Sequence, residues 1–461
     1  MPVRPFASAA ALVAAVLTFA HPHAARAQSA DTLRLALEEA VTRVLRSSDE
    51  SRIADAQVAL TDAQVTTARA AGLPQLRFNS NYTQVVKNAR RDIVGQVFGQ
   101  AFTYNTNIQA QQSLFQGGRI VAASQAALRA ERASVATREE TRAQLALTTQ
   151  RAYLNVVFTT RLLEIQRKNL VLADERLAQT EQLERAGRSS RYEVLRARVE
   201  RANLEPLVRQ SESDREQAEL ELRRLLDLPL DLPIALTTDL DPARVRAMAD
   251  TAVSATKPAG VRAVVRAAEA TASARAASVR VARADLLPSL NFTTTAGFLA
   301  LPKTNGFPST FQQINGWYPD LNVQFALSVP IFDGLRAKGL IDVAQAQAQL
   351  ANLEVRRVRE LAAIDVAGAR AELVRARAVA VARETTVQEA EEAFGLATLR
   401  FQRGIGTQLE VSDAQLALLT ARSTDARATF DLYLAVAEFA RVRAEPIPLP
   451  AGGSVPLRPS R

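Results

Sequence analysis

The chain has no cysteine, and its two histidines, His21 and His23, both sit near the N-terminus. Without cysteine there is no disulfide, no thiolate nucleophile and no thiol to carry a lipid anchor. With histidine confined to the leading stretch, the rest lacks the ligands of an ordinary zinc site and the base of a Ser-His-Asp or Cys-His pair. Neither G-x-x-x-x-G-K-[ST] nor G-x-G-x-x-G stands at a strand–helix junction, so no phosphate-cradling loop is legible. Long apolar runs are scarce as well. Phe6 to Ala20 is apolar, and beyond it no run of 18 or more apolar residues occurs, which predicts no transmembrane helix in the remainder. The reading is of a protein that is not an enzyme, with no catalytic, cofactor-binding or metal-binding residues.

Arg4, the apolar run and the small-x-small site Ala25-Arg26-Ala27 predict a cleaved secretory leader over 1–27, with Gln28 as the first mature residue. Formal net charge is +9, and loss of Arg4 and Arg26 with the leader leaves +7. The charge is interleaved, as in Arg129-Ala130-Glu131-Arg132 and Arg138-Glu139-Glu140. Interleaving describes solvated helix faces and argues against nucleic acid as a partner.

What the chain does have is a duplication. Leu114-Phe115-Gln116-Gly117-Gly118-Arg119 returns as Ile331-Phe332-Asp333-Gly334-Leu335-Arg336, offset by 217, and Gly187…Glu193-Val194…Ala197 returns as Gly404…Glu410-Val411…Ala414 at the same offset. Gly72-Leu73-Pro74-Gln75-Leu76 returns as Leu286-Leu287-Pro288-Ser289-Leu290, offset by 214. A unit this long is a duplicated half-protein and not a solenoid repeat.

Aromatics and charge divide each half. Residues 75–116 and 288–333 hold 14 of the 24 aromatics and only eight charged side chains. Within them Leu321, Val323, Phe325, Leu327, Val329 and Ile331 alternate with Asn322, Gln324, Ala326 and Ser328, and Leu290, Phe292, Thr294, Ala296 and Phe298 alternate with Asn291, Thr293 and Thr295. Leu76, Phe78 and Tyr82 alternate with Arg77, Asn79 and Asn81; Ile108, Ala110 and Leu114 alternate with Asn107, Gln109 and Gln111. Period two with one apolar and one Asn/Gln/Thr face predicts strands at about 75–86, 105–116, 288–299 and 320–332, long enough to cross an outer membrane at a tilt. Leu321, Val323, Phe325, Leu327 and Val329 are expected to face lipid, and Asn322, Gln324 and Ser328 a lumen.

The rest reads as helix. Residues 119–186 contain no glycine or proline, and 336–403 contain only Gly339, Gly368 and Gly395. Each spans ~100 Å at 1.5 Å per residue and needs coiled-coil partners. Both stop at glycine loops, and return helices are predicted over about 191–227, with a kink at Pro206, and 407–443. Helices over about 31–71 and 259–286 lead into the strands. The expected division is a first repeat over 28–228, a mixed side segment over 229–258, a second repeat over 259–443, and a Pro-rich disordered tail over 444–461. The fold class is therefore mainly α with a membrane β-barrel, built from duplicated helix-strand-strand-helix units. Four strands cannot close a barrel, since the smallest bacterial barrels use eight, and open edges in lipid are costly. The chain must oligomerise. A different reading remains open: an exported coiled-coil scaffold or adhesion protein of the envelope without a pore, which would have no need of an alternating Asn/Gln/Thr face.

The Leu-Pro-x-Leu strand starts, the Phe-x-Gly-x-Arg strand exits, the duplicated Gly…Glu-Val turns and Leu225-Leu226-Asp227-Leu228-Pro229 together resemble the outer-membrane efflux proteins, the TolC family, over about 31–443. That resemblance implies a homotrimer whose twelve strands close one barrel, continued by an α-helical tunnel across the periplasm, seated in outer-membrane lipid and docked to a periplasmic adaptor and an inner-membrane transporter. It implies no cofactor. It also implies pore-entrance positions just past the glycine loops: Glu410 and Asp413 in the second half, Glu193 in the first, with Arg196 where a second acid could stand. Gly187, Arg188, Gly404, Ile405 and Gly406 fall where an adaptor would dock. Arg403 and Arg196 are the expected counter-charges to the entrance acids.

Overall fold

The computed structural model describes residues 32–87, 101–254, 259–302, 307, 316–450 and 454–455; the expected leader at 1–27 lies outside them. In chain order the elements are β1 (Leu33–Leu35), α1 (Leu37–Ser47), α2 (Asp49–Ala70), β2 (Gln75–Gln84), β3 (Phe102–Gln116), α3 (Arg119–Arg185), α4 (Arg191–Leu225), β4 (Ile234–Leu236), α5 (Pro242–Val253), α6 (Ala263–Arg283), β5 (Ser289–Ala300), β6 (Trp317–Ser328), α7 (Arg336–Gln402), α8 (Gln408–Val442), β7 (Ile447–Pro448) and β8 (Ser454–Val455). The long helices α3 and α7 are 67 residues each and the return helices α4 and α8 are 35 each. Helix α4 continues through Pro206.

One antiparallel sheet has the order β2-β3-β5-β6. The helices attached to it follow the same order, with α2 against α3, α3 against α6, and α6 against α7. The chain leaves β3 through two consecutive left-handed glycines, Gly117 (φ +58) and Gly118 (φ +77). A Cβ on Gly117 would come within 2.6 Å of Leu287 Cβ and 2.9 Å of the Ala284 carbonyl, so both conformation and space demand glycine there. The second exit uses Gly334 (φ +68) and Leu335 (φ +69), and Asp333 Oδ2 accepts from Ala337 N–H at 2.8 Å, capping α7.

The apolar core lies where α1, the side segment and the tail gather on α3 and α8. Leu37, Val41, Tyr153, Leu154, Leu222, Leu432 and Tyr433 are all buried there, each contributing about 1.5–3 kcal/mol of burial. The polar ends of its aromatics are satisfied. Tyr153 Oη donates to the Leu35 carbonyl at 2.8 Å and accepts from Thr238 N–H at 3.0 Å. Tyr433 Oη lies 2.9 Å from both Gln150 Oε1 and the Pro448 carbonyl, and burial pushes its pKa up.

Three sequence expectations need correction. The leading helix expected over 31–71 is a short strand and two helices. Ser48 (φ −65, ψ 147) interrupts it and caps α2, its hydroxyl accepting from Ser51 N–H at 3.2 Å. Strand β1 pairs in parallel with β4 of the side segment, Leu33 opposite Ile234. Strand β6 ends at Ser328, short of 332, because its partner β5 begins at Ser289, the residue opposite Ser328. The tail is not disordered at its start: Ile447 and Leu449 are buried in the core and β7 pairs with β8. A proline-rich segment starts with less chain entropy to lose, so two buried apolar side chains suffice to dock it.

Candidate pore face and entrance

The register separates the sheet into two chemistries. Phe78 stands opposite Ile108, Ile108 opposite Ala296, and Ala296 opposite Leu321. Phe292 stands opposite Phe325, ring centroids 5.0 Å apart. This face is apolar across all four strands and open, with Leu321 74% and Phe325 64% exposed, more contiguous apolar surface than a soluble protein ordinarily leaves bare. One end of the same face carries an aromatic row: Tyr82 and Tyr104 at 4.8 Å, Tyr104 and Trp317 at 6.2 Å, Phe307 and Trp317 at 5.4 Å. Such rows mark the interfacial girdle of a membrane barrel.

The opposite face runs through Asn79, Asn107, Gly297 and Asp320, and through Gln111, Thr293 and Gln324. Asn79 Nδ2 donates to Asn107 Oδ1 at 3.3 Å, and Asn107 Nδ2 to Asn105 Oδ1 at 2.7 Å. A Cβ on Gly297 would collide with Asn107 and the Thr106 carbonyl, so glycine sets how closely β5 approaches β3 here. The outer strands β2 and β6 leave one edge each unpaired among the described residues.

At the far ends of the long helices both glycine loops are Schellman turns, with a left-handed glycine taking up the last carbonyls. Gly187 (φ +69) donates to Glu184 at 2.8 Å and Arg188 to Leu183 at 2.8 Å; Gly404 (φ +76) donates to Phe401 at 2.9 Å and Ile405 to Arg400 at 3.1 Å. The four expected entrance residues part company here. Glu193 closes a capping box, taking Ser190 N–H at 3.3 Å and Ser189 Oγ–H, while Ser190 Oγ accepts from Glu193 N–H at 3.3 Å. Its carboxylate is committed to its own helix start. Glu410 N–H donates to Thr407 Oγ1 at 3.3 Å, and its carboxylate reaches Arg400 Nε at 3.5 Å. Arg400, one turn before the expected Arg403, is therefore the counter-charge. Asp413 is exposed, Arg196 is half-buried, and neither makes an ion pair among the described residues. No hydrogen bond or ion pair among those residues joins Glu193 and Arg196 to Glu410 and Asp413.

What does join the two hairpins lies further from the tip, and sequence reasoning missed it. Arg176 on α3, its side chain 9% exposed, places Nη1 3.0 Å from Glu200 Oε1 on α4 and 3.1 Å from Ser412 Oγ on α8. Its Nη2 donates to Gln415 Oε1; Gln415 Nε2 donates to Asn169 Oδ1; and Ser412 Oγ donates to Glu200 Oε2 at 2.9 Å. Burial lowers the Arg176 pKa, and Glu200 opposes that shift. The legible trace is spacing. Leu163, Asn169, Ala173, Arg176 and Thr180 are the buried positions of this stretch, a coiled-coil seam with polar residues set into it.

No helix among the described residues is long and apolar enough to cross a membrane. The profile of the outer membrane efflux protein family matches residues 14–227 and 261–442. The chain is 28% identical over 402 residues to the pyoverdine export outer membrane protein OpmQ of Pseudomonas putida, covering 85% of this chain and 82% of that one. Among solved structures it resembles the MtrE outer membrane channel of Neisseria gonorrhoeae (22% identity, 89% of each chain, TM-score 0.71). It also resembles the outer membrane protein VceC of Vibrio cholerae (20% identity, 88% of this chain and 95% of that, TM-score 0.72).

Proposed function

The chain belongs to the outer membrane efflux protein family and is an outer-membrane exit duct extending into the periplasm; from that premise we propose that three copies pool their four strands into one closed barrel and their long helices into one tunnel. The observation that carries this reading is the two-faced open sheet. Its apolar face needs lipid, its Asn/Gln/Thr face needs water, and its two free edges need partners that one chain does not supply. The polar lining carries few charges, so hydrated cargo crosses it by exchangeable hydrogen bonds. The relative OpmQ is a pyoverdine export outer membrane protein, and an export role fits such a lining. The duct moves its cargo without transforming it.

The hairpin tips, Gly187 and Arg188 with Gly404, Ile405 and Gly406, lie farthest from the sheet and form the docking surface for a periplasmic adaptor that links the duct to an inner-membrane transporter. Glu410 and Asp413 line the entrance, where three copies bring their acids together and favour cations. The Arg176 network sets how firmly the second hairpin is held against the first, while Arg400 beside Glu410 ties α7 to α8 within the second hairpin. The assembly is tested by sizing the purified protein in detergent, before and after heating. A heat-sensitive particle three chains in size is expected; a monomer that keeps its strand content would overturn the reading.

A further inference from the structure

The duplication gives a way to read a surface the single chain leaves empty. Contacts within each half obey the sequence offsets: add 214 to a residue of β2 or α2 and 217 to one of β3 or α3. Gln75 opposite Gln111 becomes Ser289 opposite Ser328, Phe78 opposite Ile108 becomes Phe292 opposite Phe325, and all ten pairs of β2 with β3 reappear between β5 and β6. The ion pair Arg142–Asp55 (3.9 Å) reappears as Arg359–Glu269 (2.6 Å).

Between the halves runs an internal seam, β3 on β5 and α3 on α6. Carried forward by the same offsets, it demands contacts between β6 and β2 and between α7 and α2. These are opposite edges of the sheet, three ladder spacings or roughly 14 Å apart, so no single chain can satisfy them. Ile108 opposite Ala296 becomes Phe325 opposite Tyr82, and Asn107 opposite Gly297 becomes Gln324 opposite Thr83. Each pair keeps its face, apolar with apolar and polar with polar, which a one-residue slip would destroy. Gly117, pressed on Leu287 and Ala284, maps to Gly334, Leu73 and Ala70. Gly334 keeps the same left-handed backbone yet has nothing within 4 Å of the Cβ it lacks.

The charges do not carry over. The internal seam holds Arg119–Asp285, Arg262–Glu140 (2.7 Å) and Arg266–Glu139. The mapped positions are Arg336 with Ala71, Arg357 with Ser48, and Arg356 with Arg52. We infer that the seam between subunits copies the internal seam in register and shape but not in charge. In it β6 pairs antiparallel with β2 of the next copy, Gln324 opposite Thr83 of that copy. Gly334 seats on Leu73 of the next copy, and the three ion pairs are missing. This rests on the proposed trimer.

The absence of cysteine makes engineered pairs clean reporters, since directly opposed strand positions fall within disulfide reach. Gln324→Cys with Thr83→Cys, oxidised mildly, should give linked dimers and trimers on a non-reducing gel. Gln324→Cys with Val85→Cys, two residues along the same face, should link at roughly a tenth of that level or less. A shifted pair that links as well, or trimer-sized protein in which the predicted pair stays unlinked, overturns the register and leaves the trimer standing. Monomer-sized protein linked by neither overturns the trimer itself. For the charges, Ala71→Asp should supply Arg336 of the neighbouring copy with the missing acid and raise the temperature at which trimers dissociate. Adding Arg336→Gln should abolish that gain. No rise, or one that survives Arg336→Gln, overturns the charge assignment.

Discussion

Arg176 is the side chain on which three helices converge, and it is a buried ion held by one carboxylate and two neutral groups. Removing the arginine leaves Gln415 without its donor and Glu200, 26% exposed, without its counter-charge, a loss of about 1–3 kcal/mol. Arg176→Ala should therefore lower the thermal unfolding midpoint and raise resting conductance, whereas Arg188→Ala on the exposed tip should do neither. Asp425 on α8 behaves differently. Burial is the largest cause raising its pKa and Glu384 adds to it, against Arg246 and Arg161. With its folded pKa above the unfolded value, its favourable contribution exists only at low pH and is lost as pH rises through the folded value. Asp425→Asn should stabilise the protein at pH 7, and the gain should vanish on acidification through the carboxylate range, measured as urea midpoints at both ends. Neither residue is legible in the sequence. An arginine or aspartate in an Ala/Glu/Arg helix looks the same whether solvated or buried, and only the packing of α3, α4 and α8 decides. Arg400 shows the same limit. It and Arg403 both precede the glycine loop, but the Schellman turn brings the earlier one to Glu410.

Elements with a strong period were legible from the residue pattern. Leu321 to Ser328 alternates with Ala326 as the one apolar residue on the polar face, because lipid on one side and water on the other leave each residue a single suitable face. The long helices showed themselves by the absence of glycine and proline over 119–186. Elements without a period were not legible. Leu33–Leu35 and Ile234–Leu236 are three residues each and exist only because they pair with one another, and Ile447 is buried by a core assembled from distant segments. The two-faced sheet makes a paired prediction. Phe325→Asp places a carboxylate on the lipid face and should hamper assembly by roughly 1–3 kcal/mol, seen as lower trimer yield. Gln324→Asp, one residue away on the polar face, should assemble normally. Equal losses at both positions would contradict the assignment of faces.

As a whole, the molecule repeats one plan half against half within a chain, and in the proposed trimer the same plan recurs chain against chain around the barrel. Both ends of the duct follow from that plan. The sheet end is set by lipid, and in the proposed trimer the tip end would gather Glu410 and Asp413 from each copy. Changing both to Ala should shift the reversal potential in a salt gradient away from cation preference and raise resting conductance as the contact with Arg400 is lost. The fold should persist, since exposed acids contribute little to stability. An unchanged reversal potential in a trimeric variant would return both residues to ordinary helix surface. The most direct measurement remains the planar-bilayer conductance of the purified protein, taken together with its size in detergent. The predicted result is a steady ionic current from particles three chains in size; particles of one chain that retain their strands and pass no current would contradict the account.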